Sequence, residues 1–325
     1  MLLAAAIGAS PLWAQQPGTS VWLDDRTAFT LTGGLDQYVS RDSLSGRLVS
    51  MGSDQGTILV NRWVTDLAGL YPALQFEIHS TGGADGLRAL LAGKTDVVPL
   101  DRPLQPAEDS AFRVAFGYPA TQILVALDAL GVYVSLHNPI DSISLRQLDA
   151  IFSRAPSRGL PPVDTWGDLG LAGPLAKQPI GRYSLSDDHD TFRSVRQFVL
   201  QGQEYRFDVR FDRVPLSLVQ SVGADDGGIT FASVMFATRR TRFVPVLADD
   251  GVPYAPTYDN TLSHKYPLLR QHYLVVNKPP GKPLPAPLLE LLRFATSRRG
   301  QRLVAASGCF PLSADMQRTA RSQFQ

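Results

Sequence analysis

The chain has 325 residues, with 31 Lys and Arg against 30 Asp and Glu and a formal net charge of +1. That balance argues against a nucleic-acid binder, which would carry a basic excess or a dense basic patch. An apolar content of 44% over this length is enough for one large or two medium domains with a real core. Cys309 is the only cysteine, so no intrachain disulfide and no clustered-thiolate metal site can form; His79, His137, His189, His264 and His272 show no tight ligand spacing.

The opening MLLAAAIGASPLWAQQ joins a short apolar run to a small-residue site at Ala14, and reads as a signal peptide over residues 1–14, although Lys and Arg are missing from its start. Export to a periplasm is the expectation. No later stretch approaches 18 apolar residues, so no membrane span is predicted. Residues 15–45 read as a polar, irregular extension with room for one short strand.

From Gly46 a regular alternation begins. RLVSM (47–51) predicts a strand, and Leu59, Val60, Trp63, Val64 and Leu67 then recur at helical spacing until Pro72. LQFEI (74–78) alternates as a strand, STGGA opens a helix carrying Leu87, Leu90 and Leu91, and DVVPL (96–100) is the next strand. Beyond it come a strand in ATQILVAL, a helix in SLRQLDAIF capped by Ser144, a long Pro/Gly-rich loop over 155–179, and a short strand at 180–183. A helix on Phe192, Val195 and Phe198, a strand in GGITFASVMFA, a strand at 272–277 and one helix from 288 to 303 complete the chain. Repeated strand–loop–helix units predict an α/β fold in two lobes, with sheets flanked by helices and crossover strands near 120–127 and 272–277. The lobes are expected to be 46–124 with 269–318, and 125–268, followed by a tail at 319–325.

Two loops stand where open sheets place ligands, at the C-terminal ends of strands. GSDQGT (52–57) and STGGA (80–84) each open a helix, where backbone N–H groups lack intrahelical partners and the dipole favours an anion. Ser53, Thr57 and Ser80 add hydroxyls, and Gly52 and Gly56 allow close approach. The plainer reading of each loop is a capped turn. Asp101 ends a strand beside them. A carboxylate there repels a fully ionised anion but accepts a hydrogen bond from one that keeps a proton, as monohydrogen phosphate does and sulfate does not. Arg182, on a short strand of the second unit, offers a rigid fork of donors for an oxyanion.

These segments resemble the phosphate-binding periplasmic proteins of ABC-type phosphate importers, in the type II solute-binding superfamily. GSDQGTILVNRWVTDLAGLYP is similar to that family's first phosphate loop and helix, and STGGADGLRALLAGKTDVVPLDRPL to its second loop, helix and aspartate strand. KYPLLRQHYLVVNKPPG and FATSRRGQRLVAASGCFPL resemble its C-terminal strand, helix and tail. The resemblance implies a type II periplasmic binding protein fold closing around inorganic phosphate, with an inner-membrane ABC permease as partner, a monomeric state and no cofactor. It also implies site residues: Gly56, Thr57 and Ile58 from the first loop, Ser80 from the second, Asp101 as proton acceptor and Arg182 as the clamp from the other lobe. The following loop departs from the family's Ser-Gly-Thr pattern. His189 and Asp190 stand where Ser and Gly are expected, before Thr191, and Asp190 near an anion costs affinity unless it turns away or pairs. Alternatives are a phosphate-responsive sensory or adhesive binding protein, or a hydrolase using Asp188, His189 and Asp190 as acid–base groups.

Overall fold

In the computed structural model, residues 30–41 and 43–325 are described. The segment expected to be a signal peptide lies outside them.

Three strand–helix units build the first lobe. β1 (Gly46–Gly52) leads into α1 (Asp54–Leu70), β2 (Leu74–Ser80) into α2 (Gly83–Leu91), and β3 (Val97–Leu100) into α3 (Pro106–Phe116). α1 starts where Ser53 accepts the Gly56 N–H at 3.3 Å, and its apolar stripe buries Leu59, Val60, Trp63, Val64 and Leu67. Burial of side chains of this size contributes about 1.5–3 kcal/mol each and holds the helix to the sheet. α3 begins in a capping box made by Gln105 and Glu108, a start the sequence reading passed over.

β4 (Thr121–Ser135) then carries the chain across into the second lobe. There follow β5 (Ile143–Ser144), α4 (Leu145–Phe152), two short 3-10 turns in the long loop, β6 (Gly181–Leu185) and α5 (Asp190–Phe198). β7 (Arg210–Asp212), α6 (Pro215–Gly223), β8 (Gly228–Ser233), β9 (Thr241–Phe243), β10 (Val246–Leu247), β11 (Pro253–Tyr254) and α7 (Tyr258–Leu262) complete that lobe. Trp166 pins the long loop: it is fully buried and donates its indole N–H to Gly227 O at 3.0 Å. β12 (Leu269–Val276) returns to the first lobe, where α8 (Ala286–Ala295), α9 (Arg298–Ala306) and α10 (Ala314–Ser322) pack.

Among the described residues, nine strands form one mixed sheet in the order β2-β1-β3-β12-β4-β8-β6-β7, with β9 on β4. β4 and β12 are antiparallel and lie at its centre, so the two lobes share a continuous sheet. Their register slips between His272 and Tyr273. On either side lie separate cores. One holds Leu48, Trp63, Ile123, Val125 and Leu291; the other holds Leu127, Phe152, Trp166, Ile229 and Phe231.

Three expectations differ from the structure. Residues 288–303 are not one helix: the Ser297 side chain accepts the Gly300 N–H at 3.2 Å and starts α9 afresh. Residues 319–325, expected as a tail, pack down, with Ala320 and Phe324 buried in the first lobe's core. The described part of the extension contains one helical turn at 30–32 and no strand, and it is packed down: Leu35 is buried, and Tyr38 meets Phe294 edge-on with ring centroids 4.9 Å apart.

Candidate functional site

The C-terminal ends of β1, β2 and β3 converge on the second lobe, and polar side chains from both lobes are buried at the junction. α1 contributes Asp54, Gln55 and Thr57 at its start. Asp54 is exposed, whereas Gln55 and Thr57 are buried. Gly56 is a packing residue as well as a cap partner. A Cβ on it would lie 2.6 Å from Pro99 Cβ, so its bareness lets α1 sit on β3. The Thr57 N–H is spent on Ser53 O at 2.9 Å. Ile58 is the fifth residue of α1, past the N–H groups that lack helical partners, and its side chain packs on the first core. The Thr57 side chain is buried, and among the described residues its Oγ1 has no hydrogen-bond partner.

Asp101, directly after β3, is 3% exposed and pairs with Arg270 of β12, itself 7% exposed. Its sequence neighbour Arg102 is not its partner; Arg102 forms a two-pronged bond with Glu108, both contacts at 2.7 Å. Burial works to raise the Asp101 carboxyl, but Arg270, with His272 and His189 behind it, holds it below the usual carboxylate range. Burial works against the Arg270 charge, and Asp101, Asp128 and Asp190 together keep it firmly protonated. Desolvating two ions costs several kcal/mol each, so the pair is a poor device for stability alone. Asp101 Oδ1 and Arg270 Nε are buried and have no hydrogen-bond partner among the described residues.

The second lobe supplies the loop before α5. Arg270 donates to Thr191 Oγ1 at 3.1 Å. His189 caps α5, its Nδ1 accepting the Thr191 N–H at 3.1 Å. In the neutral ring, this places the proton on Nε2. That atom lies 3.6 Å from Asp54 Oδ2 and has no hydrogen-bond partner among the described residues. Burial pushes the His189 pKa down and so favours the neutral ring, in which Nε2–H is a donor. Asp190 reaches across the junction: its Oδ2 accepts the Gly83 N–H at 3.3 Å and its Oδ1 pairs with Arg193 at 3.0 Å. Burial and the nearby Asp101 raise its pKa. Gly83 permits the contact, since a Cβ there would stand 2.6 Å from Leu100 Cδ2 and 3.2 Å from Asp190 Oδ2. Ser80 is exposed and donates to Asp54, so it joins the cluster through that carboxylate.

Arg182 is not brought to this place. It stands second in β6, at the opposite end of that strand from the α5 loop, and its guanidinium is spent on its own lobe. It donates to Ile151 O and Val163 O at 2.6 Å, Ile180 O at 3.2 Å and Asp208 at 2.7 Å. The cation at the junction is Arg270, which the sequence reading missed because it began that strand at His272. The signal was there: in LRQHYLVV the side chains of Arg270 and His272 alternate onto the same face as Leu274, all three buried. A catalytic triad is not formed either. Asp188 is exposed, accepts from Ser186 Oγ at 2.5 Å and faces Arg213, while His189 Nδ1 is engaged by backbone.

The arrangement of buried donors and acceptors between two lobes of a shared sheet can be set beside known proteins. A profile described as a PBP superfamily domain matches residues 39–299. The chain belongs to this superfamily of periplasmic solute-binding proteins. It is 33% identical over 282 residues to a "Phosphate-binding protein PstS" of Pseudomonas aeruginosa, covering 86% of this chain and 87% of that one. It is 26% identical to a "Protein SphX" of Synechococcus elongatus, covering 76% and 72%. In fold it is similar to an ABC-type phosphate transport receptor from Vibrio cholerae, with a TM-score of 0.66, 16% identity and coverage of 82% and 100%. The fold class is thus that of a two-lobed solute-binding protein, and the superfamily is one of binding proteins rather than enzymes.

Proposed function

We propose that the chain binds inorganic phosphate in the cleft between its lobes and passes it to an inner-membrane ABC permease from the periplasm, as a monomer without a cofactor. The observation that carries this reading is the mixed donor and acceptor set at the lobe junction. Arg270 Nε, His189 Nε2 and Thr57 Oγ1 offer donors and Asp101 Oδ1 an acceptor, beside the Gln55 amide; all are buried and without hydrogen-bond partners among the described residues. A buried polar atom left unmade costs about 1–3 kcal/mol. A small oxyanion that retains a proton meets all four at once, since its oxygens accept and its hydroxyl donates to Asp101. The relative named a phosphate-binding protein supports the choice of ligand. Closure around it dries the pocket and strengthens these bonds.

The test is calorimetric titration of ligand-stripped protein with phosphate, sulfate and several organic phosphates. Phosphate is expected to bind and sulfate to bind far more weakly. Asp101→Asn is expected to narrow that gap about tenfold or more, because the acceptor for the ligand's proton becomes a group that also donates. Equal affinity for sulfate and phosphate in the wild type would reject the reading.

A further inference from the structure

The N-terminus of α2 is the position the sequence offers to a ligand, and a side chain of the protein already occupies it. The Asp190 carboxylate accepts the Gly83 N–H from the other lobe at 3.3 Å, and Gly83 is bare where a Cβ would crowd that oxygen at 3.2 Å. The cleft therefore holds Asp54, Asp101 and Asp190 against a single buried guanidinium, that of Arg270. We infer that Asp190 is a specificity-determining residue, which makes the cleft select the singly charged, doubly protonated form of its anion. This rests on the phosphate reading above.

The selection follows from a count of protons. Asp101 Oδ1 is buried and lacks a donor among the described residues; the one proton of monohydrogen phosphate satisfies it. Asp190 has one donor on each carboxylate oxygen, the Gly83 N–H and Arg193, and keeps lone pairs that a hydroxyl of the ligand can fill. A second proton on the ligand supplies the donor and removes one unit of repulsion. The groups facing Asp190 are Gly83 N–H on α2, Arg193 and His189 at the start of α5, Asp101 and Arg102 after β3, and Arg270 on β12. Arg102 and Arg193 are each committed to a carboxylate, Glu108 and Asp190 themselves. Burial disfavours the charged form of His189 against the pull of Asp54, Asp101 and Asp190, so it is a poor source of the missing cation. A like charge beside a titrating group is worth about one pKa unit, or about tenfold in preference between two protonation states.

The experiment is phosphate titration of the full chain at about pH 6 and about pH 8, across the range where phosphate changes charge. The wild type is expected to bind about tenfold more tightly at the lower pH. Asp190→Asn keeps an acceptor for the Gly83 N–H but not the charge, and is expected to bind about tenfold more tightly than wild type at the higher pH, flattening the dependence. Asp190→Gly carries the same expectation should the amide disturb the loop. A pH dependence shared by wild type and both variants, or absent from the wild type, would overturn the role of Asp190 and leave phosphate binding standing. Failure of the wild type to bind phosphate at either pH would remove both.

Discussion

Arg182 and Arg270 are buried to a similar degree, and their partners separate their roles. Arg182 satisfies three backbone carbonyls of its own lobe together with Asp164 and Asp208. Arg270 joins Asp101 of one lobe to Thr191 of the other and keeps Nε unpartnered among the described residues. Lysine in either place keeps a charge and loses the planar fork. Arg182→Lys is expected to lower stability by about 2 kcal/mol or more, since at least one buried carbonyl loses its donor, while phosphate affinity stays near wild type. Arg270→Lys is expected to weaken phosphate binding about tenfold or more, because a single ammonium cannot hold Asp101, Thr191 and an anion in one plane. Urea unfolding and calorimetric titration of the two variants decide the matter. If Arg182→Lys lost affinity while Arg270→Lys kept it, the assignment of the cation would be reversed. The resemblance to the phosphate-binding family pointed to Arg182, although it stands farther from Thr191 than that family's pattern, because a motif shows order along the chain and not contact. Which arginine is consumed by carbonyls is a tertiary fact.

At the level of elements, the two helix mouths read alike in sequence and differ in use. α1 is capped from within by Ser53, whereas the N-terminal residue of α2 takes a carboxylate from the other lobe. Gly83→Ala is therefore expected to cost about 1–3 kcal/mol by overpacking against Leu100, and to loosen the Asp190 contact as well. Hydrogen exchange checks both: stability should fall, and exchange at the start of α5 should quicken. Unchanged exchange there would mean that Asp190 does not tie the lobes. The elements legible in the sequence were those with a strong period and a cap, such as α1 with its five buried apolar residues and α4 with Ser144 and Gln147. Of the elements that escaped, α3 and α6 each carry Pro at their start and α6 buries Leu218, Val219 and Val222, so a signal was present there; the others had little length or apolar contrast. β9, β10 and β11 have two or three residues each, and α10 exposes most of its surface while burying Gln317 and Ala320. The site was legible to the same extent. Asp101, Thr57 and the 189–191 loop were marked by their place at strand ends, while Asp54, Gln55 and Arg270 were hidden because only the packing of lobe on lobe gives them a common space.

For the whole molecule, the shared sheet sets how the lobes can move and how they unfold. β4 contributes Ile123, Val125 and Ala126 to one core and Leu127, Ala129 and Leu130 to the other, with no loop between them. β12 runs beside it, and the register slip at His272/Tyr273 falls between Arg270 at the cleft and Leu274 in the first core. Beneath the slip, Asp128 accepts from Ser233 Oγ at 2.8 Å, so the crossing is tied by a buried hydrogen bond as well as by the ladder. Opening the cleft must bend these two strands, and unfolding one lobe strips the central strands from the other. A single cooperative transition is expected by calorimetry, with calorimetric and van't Hoff enthalpies in agreement. Phosphate at about 100 times its dissociation constant should add about 2.7 kcal/mol, shifting the whole transition up by roughly 5 °C without splitting it. Two transitions, of which phosphate moved only one, would show that the lobes are energetically separate and that the continuous strands do not couple them.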